Sequence, residues 1–195
     1  MSRDEQKIRS EQVRQAILDT ALKIGIEEGF EGVSIRKIIK KMNYSTGVVY
    51  HHFKDKEEII SAIEKSQTEW LRSQITEILK TDDNVVDQMK KVFYRITRLA
   101  YEEPEKYNLI VLHKYSRNNK NNPEWTDYLS KRLKEGMDAG FIKKTNPDYA
   151  AFSVWSSFLG FNLMISKHTD LSWKQAEELF FVQFNIILKG VLKLE

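Results

Sequence analysis

Cysteine is absent from this 195-residue chain. That excludes a disulfide scaffold and thiolate metal sites, and it is compatible with a reducing compartment. Proline (3) and glycine (8) are scarce, which disfavours turn-rich β structure. No apolar run approaches the roughly 20 residues of a membrane span. The opening "MSRDEQKIRSEQ" has no apolar stretch, so it does not read as a signal peptide. A large charge excess is missing as well: the net charge is +3 and the pI about 8.9. A nucleic-acid partner therefore has to be argued from a local patch. There is no glycine-rich phosphate loop, HExxH or nucleophile elbow, so no catalytic or cofactor-binding motif stands out. The expectation is a cytoplasmic protein that is not an enzyme, needs no cofactor or metal and has no membrane partner.

What is present is helical periodicity. Apolar residues recur at three- and four-residue steps through nearly the whole chain, without clean alternation. The expected fold is all-α, with about nine helices. A first helix is expected over residues 12–28, with Val13, Ile17, Ala21 and Ile24 on one face. Phe30 and Val33 can fold back onto that face. A short helix follows in "SIRKIIKKM", with Ser34 as N-cap. Asn43 sits where the chain must turn, and Asn tolerates the left-handed conformation that ends helices. Ser45 starts a third helix that runs to about Phe53. Asp55 and Glu58 have capping-box spacing ahead of a long fourth helix. Later helices are expected over residues 85–102, from Pro104, from Pro123 to about Asp138, from Pro147 to Lys167, and from Ser172 onward.

Two short helices joined by a tight turn behind a supporting helix describe a helix-turn-helix. Charge agrees with that geometry. From Ser34 to Lys54 the basic residues are Arg36, Lys37, Lys40, Lys41 and Lys54, and there is no acidic one. Val49 and Phe53, four apart, face the core. Thr46, Gly47, Val48, Tyr50 and His51 are left outside. The first turn, Ser45 to Gly47, has free N–H groups that attract phosphate. Gly47 lets a groove wall come close. Val48 offers methyl surface for a thymine. Tyr50 and His52 have polar tips suited to phosphate oxygens. Adjacent histidines point about 100° apart on a helix and do not converge on one metal ion.

"SIRKIIKKMNYSTGVVYHHFKDKEEII" resembles the DNA-binding segment of the TetR family of one-component regulators. The shared pattern is an apolar-rich helix, a turn, Ser-x-Gly, an apolar residue, Tyr, an aromatic pair, Phe, and Lys-Glu before a long helix. Ile39 stands where the family often has Ala, and Asn43 where it often has Gly. The resemblance implies a DNA-binding domain over residues 1–55 and an effector-binding and dimerisation domain over 56–195. It implies that Ser34 and Lys56 hold phosphates at two edges and that Arg36 reaches the groove. Thr46, Gly47 and Val48 would meet base edges, and Tyr50 and His52 the backbone. For His51, base edge and phosphate both stay open.

"EGMDAGFIKKTNPDYAAFSVWSSFLGF" is similar to the segment that enters the family's dimerisation helix. Ser153, Ser156, Ser157 and Gly160 form a strip of small residues there. The last helix repeats Trp173, Phe180, Phe184, Ile187 and Val191 at helical spacing. The expected dimer interface is Phe152, Ser156, Gly160, Phe180, Phe184, Ile187 and Val191. The ring-rich middle suggests a pocket walled by Phe93, Tyr128, Trp155 and Phe158, with His113 and Asn162 as its polar groups. The resulting expectation is a homodimeric repressor that binds double-stranded palindromic operator DNA. A small lipophilic or aromatic effector would release it. A helical small-molecule-binding protein, or an activator of the same fold, is the alternative.

Overall fold

The computed structural model describes residues 2–113 and 124–191, with the side chains of residues 124 and 189–191 left aside. Among the described residues there are nine α-helices and no strand. The helices are α1 (Arg3–Glu28), α2 (Ile35–Met42), α3 (Thr46–His52), α4 (Lys56–Leu79), α5 (Val85–Glu102), α6 (Pro104–Tyr107), α7 (Glu124–Asp138), α8 (Pro147–Lys167) and α9 (Trp173–Val191). A 3₁₀ turn covers Phe30–Gly32, and α6 runs on as a wider π turn over Asn108–Leu112. Among the described residues no helix is long and apolar enough to cross a membrane.

Two compact units divide at residue 71, inside α4. In the first unit the buried apolar residues include Ile17, Ala21 and Ile24 of α1, Ile38 of α2, Val49 of α3, Phe53, and Ile59 and Ile63 of α4. The expected boundary at residue 55 marks the start of α4, whose first turns supply core to this unit.

The α1 helix begins nine residues ahead of the expected start. Ser2 and Glu5 form a reciprocal cap: Ser2 Oγ accepts from the Glu5 N–H at 3.2 Å, and Glu5 accepts from the Ser2 N–H at 2.7 Å. This part of α1 is mostly exposed, so no apolar stripe announces it. Phe30 does fold back onto α1. A Cβ at Gly25 would lie 2.5 Å from the Phe30 ring, so glycine is what admits the ring.

The second unit is built on α5. Phe93 stacks on Phe158 of α8 at 4.1 Å and meets Phe184 of α9 edge-on at 6.2 Å. Thr97 and Asn162 are the buried polar pair of this core: the Thr97 hydroxyl donates to Asn162 Oδ1 at 2.8 Å. The bond satisfies the Thr97 donor and the Asn162 side-chain oxygen, as burial demands. Pro123 lies outside the described residues; α7 is described from Glu124.

Candidate nucleic-acid interface and ligand cavity

The turn between α2 and α3 is set by Asn43, at φ 55° and ψ 39°. It is the only non-glycine residue with positive φ among the described residues. Its N–H and that of Tyr44 both reach back to Ile39 O, the latter at 3.3 Å. The left-handed geometry costs most side chains roughly 1–2 kcal/mol, and Asn is among the few residues that visit it routinely. Ser34 Oγ accepts from Lys37 N–H at 3.3 Å and so caps α2. Ser45 holds the N-cap position of α3, but its hydroxyl makes no cap bond, so the first-turn N–H groups keep no side-chain acceptor.

Three apolar anchors hold this pair. Ile38 and Val49 are 0% exposed and Phe53 is 1%. The Arg14 guanidinium lies over the Phe53 ring at 5.0 Å. Outward are Thr46, Gly47, Tyr50 and His51, with Val48 and His52 half-buried. A Cβ built on Gly47 would meet nothing within 4 Å. Nothing inside the protein therefore requires glycine at this helical position. The His51 and His52 rings meet edge-to-face at 5.0 Å. Burial, then the neighbouring His51 and Arg14, holds the His52 imidazole below its usual pKa.

The basic window is less free than its sequence suggests. Lys37 pairs with Glu28 at 2.6 Å and Lys41 with Glu27 at 2.7 Å, both acids coming from the end of α1. The Lys41 hydrogen bond pulls the Glu27 carboxyl below its usual range. Lys56 Nζ donates to the Glu31 carbonyl at 2.9 Å, so this expected phosphate contact also braces the 3₁₀ turn. Arg36, Lys40 and Lys54 are exposed and outside any ion pair among the described residues.

Sequence reasoning missed the start of α1 here. A groove of about 560 Å³ runs between its first turns and α3, lined by Gln6, Arg9, Ser10 and Val13 on one side. Ser45, Gly47, Val48, His51 and His52 line the other. The Ser2–Glu5 cap was the readable signal for that extension.

In the second unit the expected pocket residues separate. Phe93, Trp155 and Phe158 are core residues, 4%, 3% and 0% exposed, and Asn162 is 1% exposed and bonded to Thr97. Phe93, Tyr128 and Trp155 border a gap of only about 10 Å³, at the limit of what one water needs. His113 is half-buried and lines neither void. The roomier cavity, about 370 Å³, is lined by Arg72, Ile75, Thr76 and Leu79 of α4 with Trp125 and Tyr128 of α7. Of the expected set, only Tyr128 borders it. Among the described residues the buried Tyr128 hydroxyl and Trp125 Nε1 have no hydrogen-bond partner. A buried donor left unsatisfied costs about 1–3 kcal/mol. Burial chiefly, with Glu135 adding and Arg132 opposing, raises the Tyr128 phenol pKa and keeps it protonated.

The expected dimer residues also divide. Phe152 is 67% exposed, and Ser156 and Gly160 are exposed on the same helix. Phe180 and Phe184 are 0% and 3% exposed, so they belong to the chain's own core and are closed to a second copy. Ile187 is half-buried, and the side chain of Val191 lies outside the described residues. The helical stripe on α9 was real but faced inward. Leu179, Phe181, Val182 and Ile186, between its members, are the exposed large apolar residues.

The first unit is a helix-turn-helix with a short exposed second helix, the architecture of a DNA-binding regulator. Residues 17–63 match the sequence profile of bacterial regulatory proteins of the tetR family. Over that segment the chain carries the pattern of the TetR family, and the curated relatives it matches are transcriptional regulators, not enzymes. Among curated relatives, the transcriptional repressor AcnR of Corynebacterium efficiens is 27% identical over 146 residues, covering 69% of this chain and 71% of that protein. Among solved structures, the ketosteroid regulator KstR2 of Mycobacterium tuberculosis has a TM-score of 0.70 at 17% identity, covering 93% of this chain and 95% of that one. AibR, solved with isovaleryl coenzyme A and operator DNA, has a TM-score of 0.71 at 22% identity, covering 90% and 98%.

Proposed function

We propose that this regulator is a homodimeric repressor that leaves a palindromic operator when a small molecule enters the α4–α7 cavity. The observation that carries the DNA part is the exposed face of α3, where an unconstrained Gly47 stands beside Thr46, Val48, Tyr50 and His51. Thr46, Gly47 and Val48 approach base edges. Tyr50, His52 and the unpaired cations Arg36, Lys40 and Lys54 contact phosphates. Ser34 and Lys56 serve mainly to brace the motif, given their internal bonds.

A palindrome needs two recognition helices about 34–36 Å apart, hence two chains. The exposed apolar residues Tyr149, Phe152 and Met164 on α8 and Val182 and Ile186 on α9 support that pairing. Patches of this kind mark interaction sites. The similarity to repressors, and to a regulator solved with both an acyl coenzyme A and operator DNA, supports the ligand-released reading. The cavity walls include α4, which also carries core of the DNA-binding unit. A ligand that takes the operator-bound population from 99:1 to 1:99 must favour the released form by about 5.5 kcal/mol.

Sedimentation with a labelled palindromic duplex tests this. Two chains should bind per duplex, and Phe152→Glu should yield a folded monomer of weak affinity. A monomer that binds the full site tightly overturns the proposal.

A further inference from the structure

We infer that the first turns of α1 belong to the DNA interface: Arg9, with Gln6 and Ser10 beside it, holds a phosphate of the strand that passes between α1 and α3. This rests on the reading of α3 as the recognition helix and adds a second wall to its contact surface.

Core packing does not account for this part of α1. The helix starts at Arg3, yet its first buried residue is Ile17. Residues 2–9 are all exposed. A helical stretch without a packed face is marginal by its own propensity. The chain nevertheless fixes its start with the reciprocal Ser2–Glu5 cap. Gln6, Arg9, Ser10 and Val13 then follow at steps of three and four, which puts them on one face of the helix. That face borders the groove, opposite Gly47, Val48 and His51.

The chemistry of the groove suits an anion. No carboxylate is among its lining residues. Arg9 is exposed and in no ion pair among the described residues. The next arginine along α1 is already engaged: Arg14 pairs with Glu11 at 3.6 Å and covers the Phe53 ring at 5.0 Å. A guanidinium carries five donors in a planar fork that matches phosphate oxygens, and Gln6 and Ser10 add an amide and a hydroxyl. The opposite wall names the occupant. It is the face of α3 that approaches the bases, so a strand docked on Gly47 and Val48 lies against Arg9. Phosphate contacts of this kind position a protein on the duplex and carry no sequence information.

Fluorescence anisotropy on the full chain tests this, with operator duplexes that carry one neutral methylphosphonate at each backbone position in turn. Arg9→Gln should weaken binding to operator and scrambled duplexes alike by about tenfold, the loss expected of one charge-assisted hydrogen bond. The log–log salt slope should fall by about one. Arg9→Lys keeps the charge and should keep the slope. Lys7→Gln removes the same charge from a position that does not line the groove, and should leave the slope unchanged. Both side chains are exposed, so thermal unfolding should not move. At one backbone position in each half-site, neutralising the phosphate should cost the wild-type chain affinity and cost Arg9→Gln none. The inference is overturned if Arg9→Gln binds like the wild type, if Lys7→Gln lowers the slope as much, or if no methylphosphonate position couples to Arg9. A slope that falls with Lys54→Gln but not with Arg9→Gln would reject α1 as a contact and leave the reading of α3 standing. Equal wild-type affinity for operator and scrambled duplexes would reject that reading, and the inference with it.

Discussion

Replacing Gly47 with alanine should move stability and DNA affinity in opposite directions. Gly47 is the second residue of α3, and a Cβ there meets no atom within 4 Å. The added methyl is accommodated without strain. Alanine also restricts the unfolded chain, so Gly47→Ala should stabilise the free protein by about 0.4–1 kcal/mol. On DNA the same methyl projects into the space where the groove wall must fit. Forcing an extra methyl into a packed contact costs about 1–3 kcal/mol, and each 1.4 kcal/mol is about tenfold in Kd. Urea unfolding followed by circular dichroism reads the first effect. Fluorescence anisotropy on an operator duplex at fixed salt reads the second. A variant that is more stable and binds equally well would refute the idea that glycine is kept there for the approach of DNA. A variant that loses both would mean that the helix itself needs glycine, against the open space around it.

Other positions give independent checks. Phe180→Ala should destabilise the chain itself by about 3–5 kcal/mol, as for a fully buried aromatic, whereas exposed Phe152→Ala should leave unfolding nearly unchanged and weaken self-association in sedimentation. Thr97→Val strands Asn162 Oδ1 in the core and should cost about 1–3 kcal/mol, while Thr97→Val with Asn162→Leu should recover part of that loss in denaturant titrations. Burial and the neighbouring His51 and Arg14 hold the His52 imidazole below its ordinary value of about 6.5, so the unfolded chain binds the proton more readily than the folded one. Stability from this group is therefore full above about pH 6.5 and falls as pH drops through 6.5 toward the folded pKa. His52→Gln should flatten that part of the stability–pH curve.

Much of the DNA-binding unit was legible because each of its devices is local. Asn43 ends α2 in the conformation its side chain tolerates, and Val49 and Phe53 turn inward at a spacing of four. Asp55 and Glu58 form the expected cap, with the carboxylate of Glu58 reaching the Lys54 N–H at 2.7 Å. What the sequence hid was long-range. Glu27 and Glu28 lie just outside the basic window, yet they neutralise two of its lysines. In the second unit, periodicity located α9 but not the direction its stripe faces. Both edges of that helix are apolar, and packing on Phe93 and Phe158 decides which is buried. The same limit applies to the cavity. Aromatic content marked the region, but Arg72, Thr76 and Trp125 share a wall only through the meeting of α4 with α7.

The central claim is that α2 and α3 read a specific operator. The most direct measurement is the affinity of the full chain for the duplex upstream of its own gene against a scrambled duplex, at one salt concentration and over a salt series. A preference of about 10³–10⁷ for the upstream duplex is expected. The log–log salt slope should fall by about one when Arg36, Lys40 or Lys54 is neutralised. Equal affinity for both duplexes, or a slope indifferent to all three cations, would contradict it.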